Sequence, residues 1–246
     1  MARVSGLWRY PIKSHGRESL DRVTLTEGEA MPWDRRWAVT HTESLVDGSE
    51  WAPCANFSRG SKAPGLAAIT SKLDESTGTL TLTHPDLGTL IFNPDDEPQR
   101  LIDWAGGLIP ENRAPSHRLI RAKAQAFTDS DFPSVTIGNM ASHRAVEARL
   151  GHETSPHRWR CNLWIDGLDP WTEFDWMDQE IRIGGAVLRA QERTDRCLAT
   201  HNNPDTGARD DNLLDVLDKF GHRDFTVRAM VICSGEVAIG DPVESL

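Results

Sequence analysis

Apolar residues in this chain come in short runs, most of them alternating with polar ones. Each run is broken within a few residues by proline, glycine or an aspartate-rich turn. Such punctuation leaves little room for long helices and points to strands, because a period of two puts every second side chain on one face. Residues 4–10 form a first run, stopped by Pro11. Val23 and Leu25 alternate with threonines ahead of Glu27-Gly28-Glu29, and Trp37 and Val39 sit in a third run. Residues 66–70, 80–84 and 88–92 read as further strands, joined by turn chemistry at 74–78 and at Pro85-Asp86-Leu87-Gly88. Strands so short and so spaced predict a small β-barrel or sandwich over the first hundred residues.

Asn93-Pro94-Asp95-Asp96-Glu97-Pro98 breaks this pattern and predicts a joint, with one region over 1–95 and another over 96–246. A helical stretch at 101–104 ends at Gly106-Gly107. A second helix is expected from Ser142 as N-cap, with Ala145, Val146 and Leu150 on one face and Gly151 as its stop. Leu213, Leu214, Leu217 and Phe220, followed by Gly221, predict a third helix with a core-facing side. Residues 161–165, 180–190 and 225–233 read as strands. The fold class expected is mainly β with a few helices.

The 246 residues suffice for one large domain or two small ones, and 38% apolar with 26% charged is ordinary for a globular chain. Twenty-seven Lys and Arg against 37 Asp and Glu give a net charge of −10, which argues against sequence-independent nucleic-acid binding. An anionic ligand must then be held by a local basic pocket. No stretch approaches the roughly 18 apolar residues of a membrane span. Met1 to Ser5 leads straight into a strand with no apolar leader, so a cytoplasmic location is expected. Cys54, Cys161, Cys197 and Cys233 form no CxxC pair, which argues against a disulfide scaffold, a structural zinc site or an iron–sulfur centre. Cys161 and Cys233, in apolar strands, are expected to be inert core thiols, and Cys54 lies in a loop with nothing to mark it. The chain has nine tryptophans, and Trp164, Trp171 and Trp176 read as packing. His152 and His157 read as solvated.

The segment richest in chemistry is Arg193-Thr194-Asp195-Arg196-Cys197-Leu198-Ala199-Thr200-His201-Asn202-Asn203-Pro204-Asp205-Thr206-Gly207. An arginine beside a cysteine favours the thiolate. A thiolate opening such a loop could be a nucleophile, a persulfide carrier, a soft metal ligand or a plain surface thiol. His201, four residues on, could line a substrate mouth and shuttle protons.

Here the chain resembles the MOSC family, named for the C-terminal domain of molybdenum cofactor sulfurase. Arg196-Cys197, Thr200 and Pro204-Asp205-Thr206-Gly207 keep the family's register, with the glycine ten positions after the cysteine. His201 and Asn202-Asn203 depart from its Thr and Val-Asp. Arg160-Cys161-Asn162 resembles an Arg-Pro-Asn, Trp176 to Gly184 a Trp-x-x-x-x-Ile-x-Ile-Gly segment, and Gly240-Asp241-Pro242-Val243 the closing motif. Tyr10-Pro11-Ile12-Lys13-Ser14 and Asp34-Arg35 ahead of Trp37 resemble the β-barrel domain that precedes MOSC, so the likeness spans nearly the whole chain.

The resemblance, which is to the amidoxime-reducing components and their bacterial relatives, implies an N-terminal β-barrel region leaning on a C-terminal MOSC β-domain, with molybdopterin-type molybdenum cofactor between them. It implies Cys197 as molybdenum ligand and catalytic residue, with Lys13, Ser14 and Arg35 near the phosphate. Arg160, Asn162, Asp195 and Arg196 would make other cofactor contacts. Asp131 and Phe132 are taken as cofactor neighbours from Phe127-Thr128-Asp129-Ser130-Asp131-Phe132-Pro133, which carries one residue more than the family's Phe-x-Asp-x-x-Pro. The activity implied is reduction of a small N-hydroxylated compound or an N- or S-oxide, with no need for pyridoxal phosphate. No G-x-G-x-x-G is present, so electrons would come from a ferredoxin, a cytochrome b5-like protein or a flavin reductase. The alternative is a persulfide carrier or cofactor carrier using the same cysteine.

Overall fold

The computed structural model describes residues 1–246. In chain order its elements are β1 (Arg3–Arg9), β2 (Glu18–Leu20), β3 (Arg22–Leu25), β4 (Trp37–His41), β5 (Thr70–Asp74), β6 (Thr79–His84), β7 (Gly88–Phe92), α1 (Pro98–Ala105), β8 (Ser116–Arg121), β9 (Val135–Asn139), α2 (Met140–Leu150), β10 (Leu163–Asp166), β11 (Glu180–Ile183), β12 (Ala186–Asp195), α3 (Leu213–Asp218), β13 (Asp224–Cys233), β14 (Gly235–Ala238) and β15 (Val243–Ser245). The chain is mainly β with three α-helices, as expected from its short alternating runs.

The large sheet has the order β15-β11-β12-β13-β9-β10-β1-β2. Its one parallel pair, β9 with β10, is joined through α2, since parallel neighbours need a crossover rather than a hairpin. Inward residues of this sheet, among them Val4, Ile137, Ile165, Leu188 and Val231, build the larger core together with β3 and β14. A second core is built by β4, β5, β6, β7, β8 and α1 around Trp37, Leu80, Phe92 and Leu101. A third lies between α2, α3 and the large sheet, where Trp159 stacks on Phe225 with centroids 3.8 Å apart.

The chain trades strands between the two bodies. β1 and β2, from the first residues, close one edge of the C-terminal sheet, while β8 pairs with β4 of the N-terminal body. Sheet pairing therefore runs across residues 95 and 96 in both directions.

Three local expectations change. Residues 64–68 form a 3-10 turn opened by Pro64, and the strand begins at Thr70, where pairing with β6 starts. The cap of α2 is Asn139, whose Oδ1 accepts from the Ala141 amide at 2.9 Å; Ser142 sits one turn inside and donates to Glu173 instead. Cys233 is exposed. Leu188 opposes Val231 but Val187 opposes Cys233, and this one-residue bulge turns the end of β13 into solvent.

One glycine explains why the 204–207 turn has its sequence. Gly207 has φ +72°, and a Cβ there would stand 2.7 Å from the Cα of Gly65 in the N-terminal body. The turn is thus pressed backbone to backbone against the other half. Arg17 locks it by donating to Pro204 O at 2.7 Å, Ala67 O at 3.1 Å and Asp205 Oδ1 at 3.0 Å. Gly207→Ala is expected to cost about 1–2 kcal/mol from the left-handed backbone alone, and more from the clash. A drop in the urea midpoint checks this; an unchanged midpoint would show that the two halves do not meet there.

Candidate functional site

Where β1 ends, residues 10–14 leave the sheet and cross toward the N-terminal body. Tyr10 is fully buried and satisfied at every polar atom. Its amide donates to Asp34 Oδ1 at 2.8 Å, its carbonyl accepts from the Arg35 amide at 2.7 Å, and its hydroxyl donates to Cys161 O at 3.1 Å. Burial raises the hydroxyl above the usual tyrosine range, more than the neighbouring arginines lower it, so it stays a neutral donor. The Arg35 and Arg160 guanidinium carbons lie 4.8 and 4.3 Å from its ring centroid. Arg35 pairs with the buried Asp34 carboxylate and donates to Arg160 O at 2.9 Å and Asn162 Oδ1 at 3.3 Å. Asn162, wholly buried, accepts at the same Oδ1 from Thr136 Oγ1 and donates from Nδ2 to Trp8 O.

Ser14, Arg35 and Arg160 all take left-handed backbone, with φ of 65°, 46° and 50°. None is glycine, so each stores about 1–2 kcal/mol of strain that the surrounding network must hold. Burial pushes Arg160 down to about 10, against the pull of Tyr10, yet it remains a cation at neutral pH and has no carboxylate bonded to it.

Cys197 is aimed from the opposite side. β12 and β13 slip register between Arg193 and Asp195, opposite Thr226, a β-branched residue held at φ 70°. Thr226 Oγ1 donates to Thr194 Oγ1 at 2.9 Å across the bulge. The strand then turns through Arg196, whose guanidinium donates to Trp159 O at 2.5 Å, and delivers Cys197 exposed at the start of a 3-10 turn. Burial depresses Arg196, and the adjoining Cys197 opposes that shift. Arg158, pinned between His201 O and the carboxylates of Asp210 and Asp211, fixes the rest of the loop. Asn202 closes it against the N-terminal body by donating to Gly60 O at 2.8 Å.

These segments enclose a cleft of about 190 Å³ between the two bodies. Lys13, Arg35, Arg59, Arg158, Arg160, Arg196 and Arg228 line it, against Asp129 and Asp195. The field that a net-acidic chain needs for an anion is therefore concentrated in one place. Lys13 donates to Asp129 Oδ1 at 2.5 Å and Phe127 O at 2.8 Å. Desolvation opposes ionisation of Asp129, but Lys13, with Arg35 and Arg228 behind it, outweighs that and holds its carboxyl well below the usual carboxylate range. Other cavities, of about 260, 290 and 490 Å³, are larger, but none is lined by a cysteine.

Of the residues expected from sequence, Lys13, Ser14, Arg35, Arg160, Asn162, Asp195, Arg196 and Cys197 all line this cleft. His201 does not. Its ring turns toward α3, where Nε2 accepts from the Leu214 amide at 3.4 Å. Asp131 and Phe132 also lie outside the lining; Asp129 and Thr128 occupy it, because Phe127 is buried and fixes the register two residues earlier. The Phe127-x-Asp129 spacing carried that signal. Arg59, Arg228, Thr136 and Cys54 had no sequence signal beyond residue type. Arg160 precedes β10 rather than lying on it, as the left-handed end of a 3-10 turn. Cys161 is buried, and burial pushes its thiol up to about 12, so it is inert. His157 is half-buried, 4.0 Å from Trp8, and not solvated.

Comparison with known proteins bears on this geometry. The MOSC N-terminal beta barrel domain matches residues 1–129, and the MOSC domain matches residues 125–244. The chain belongs to the MOSC family. The two matches meet at 125–129, the segment that carries Asp129 into the cleft. No curated protein matches. Among solved structures, YUAD from Bacillus subtilis is 14% identical, with 98% of this chain and 93% of that one covered and a TM-score of 0.48. YiiM from Geobacillus stearothermophilus is 19% identical over 46% of this chain and 53% of its own, with a TM-score of 0.35. No helix of this MOSC protein is long and apolar enough to cross a membrane.

Two outcomes are expected. His15, buried behind the Lys13-Ser14 turn, donates from Nδ1 to Lys13 O at 2.8 Å, and burial lowers it from 6.5 to about 4. Above pH 6.5 the ring is neutral folded or unfolded; between 6.5 and 4 only the unfolded chain takes up a proton. Stability should therefore fall as pH drops through that window, by about 1.4 kcal/mol per pH unit from this residue. His15→Asn, which keeps a donor near Nδ1, should flatten the slope in urea titrations; an unaltered slope would exclude His15 as its source. His201→Ala should lower the urea midpoint by the equivalent of about 0.5–1 kcal/mol through the lost acceptor. It should leave the pH profile of any activity in place, and a profile that moves with it would return His201 to the chemistry.

Proposed function

We propose that this chain is a molybdenum-cofactor-binding reductase acting on N-hydroxylated compounds or on N- or S-oxides. The observation that carries the reading is the exposed thiol of Cys197 in a cleft where cations outnumber carboxylates. The donor set suits the group: a thiolate is a soft ligand for the metal, and arginines suit a phosphate. Arg158 Nε and Arg196 Nε are buried without a partner, so the cleft retains unused donors. Lys13, Ser14 and Arg35 would hold the phosphate end, Arg160, Asn162, Asp195 and Arg196 the pterin, and Cys197 the metal.

When bound, the cofactor would supply two-electron oxygen-abstraction chemistry. The chain's own work is positioning. Arg35 is held by Asp34 and Tyr10, and Arg160 by the same ring and Gly16 O, so less side-chain entropy is left to lose on binding. Asp129, kept ionised by Lys13, sets a boundary to the anion site. No histidine lines the cleft, so protons would reach the reacting atom from solvent. With no dinucleotide fingerprint in the chain, electrons would arrive from a separate protein.

The exposure of Cys197 also supports a second reading, a sulfur or cofactor carrier in which the thiol bears a persulfide. Anaerobic purification followed by metal, pterin and sulfane-sulfur analysis separates the two. The reductase reading expects molybdenum near one per chain, lost in Cys197→Ser and retained in the Cys54, Cys161 and Cys233 variants. It also expects reduction of benzamidoxime with reduced viologen but not with NADH alone. Sulfane sulfur on Cys197 without molybdenum would favour the carrier. Turnover with NADH in flavin-free protein would sink the separate donor.

A further inference from the structure

We propose that Arg59 recognises a carboxylate on the substrate, so that anionic compounds are preferred over neutral ones; this rests on the reductase reading above. Four of the cleft cations already have carboxylates. Lys13 pairs with Asp129, Arg35 with Asp34, Arg158 with Asp210, and Arg228 with Glu192. Arg160 and Arg196, on the C-terminal side, are the two that the reading assigns to the pterin. Arg59 is left. It comes from the N-terminal body, pairs with no carboxylate, and its one side-chain partner is Cys54 Sγ, which accepts from Nη1 at 3.1 Å. Its remaining N–H groups are free to form the planar fork that matches a carboxylate.

Its position relative to Cys197 is set by backbone. The Arg59 carbonyl accepts from the Lys62 and Ala63 amides, both at 2.9 Å. The next residue, Gly60, is tied to the Cys197 loop by Asn202, and a Cβ on it would stand 3.7 Å from that of Ala199. Arg59 thus faces the cleft from a segment clamped to the loop that carries the thiol. It also lines a neighbouring recess of about 260 Å³. Phe57, Ala63 and Ile109 give that recess an apolar wall, and Lys62 and Arg113 outnumber its one acid, Glu43. Apolar wall and basic rim suit a compound with a hydrophobic body and an anionic head.

The test compares benzamidoxime with its para-carboxylate analogue on the cofactor-loaded protein, using reduced viologen, and measures binding of both compounds by calorimetry. In the wild type the carboxylate should have the higher kcat/KM. Arg59→Gln should lower the ratio of carboxylate to neutral kcat/KM ten-fold or more, through KM, and Arg59→Lys should restore part of it. Binding of the carboxylate should weaken by a similar factor, and the effect should shrink with added salt. A ratio unchanged in Arg59→Gln overturns the inference and leaves the reductase reading standing. Arg59-dependent binding of the carboxylate with no turnover of either compound upholds the inference and sinks that reading. Failure of the wild type to bind the carboxylate more tightly than the neutral compound also overturns it.

Discussion

Two arginines packed on one buried tyrosine ring hold the two halves of this protein in the arrangement that makes the cleft. Arg35 comes from the N-terminal body and Arg160 from the C-terminal one, and Tyr10 lies just past the end of β1, on the segment that passes between them. Neither guanidinium could be taken from water without compensation, since an unpaired buried charge costs several kcal/mol. Asp34 neutralises one, the ring face attracts both, and carbonyls of both bodies accept their N–H groups. Removing any member would leave another buried and unsatisfied, so the junction is set as a unit. The arrangement ends with one cation in excess, and that excess is what an anion can meet.

Four of the seven non-glycine residues with left-handed backbone belong to the segments that build the same cleft. Ser14, Arg35 and Arg160 hold left-handed backbone without being glycine, and Thr226 does so inside a strand. Each is held by dense surroundings: a turn closed by His15, a buried ion pair, a capped 3-10 turn, a threonine–threonine hydrogen bond. The bulge at Thr226 has a visible consequence. It breaks the alternation of β12 at its end, so that Asp195, Arg196 and Cys197 turn toward the cleft instead of continuing up and down the sheet.

The cleft is also latched at its rim. Gly207 against Gly65, Arg17 on the 204–207 turn and Asn202 on Gly60 clamp the cysteine loop to the N-terminal body. The loop therefore belongs mechanically to both halves, and the thiol sits where small displacements of one half against the other are resisted.

Much of this was legible in the residues. Alternating runs and turn residues settle that the chain is mainly β, because a period of two is a local property of side-chain direction. Gly151 caps α2 and Gly221 closes the turn that follows α3, for the equally local reason that only a residue without Cβ adopts left-handed backbone cheaply. The order of motifs gave the family and eight residues that line the cleft. Tertiary structure decided the rest. Which acid of 129 and 131 faces Lys13 depends on Phe127, more than a hundred positions beyond Lys13 in sequence, filling a core. His201 points at α3 because that helix end needs an acceptor, which no spacing from Cys197 could reveal. Arg59 and Arg228 became cleft residues only when strands from opposite ends of the chain were paired. Sequence determines what each segment can do locally; which charges end up facing one another is decided by long-range packing and by the need to leave no buried charge without a partner.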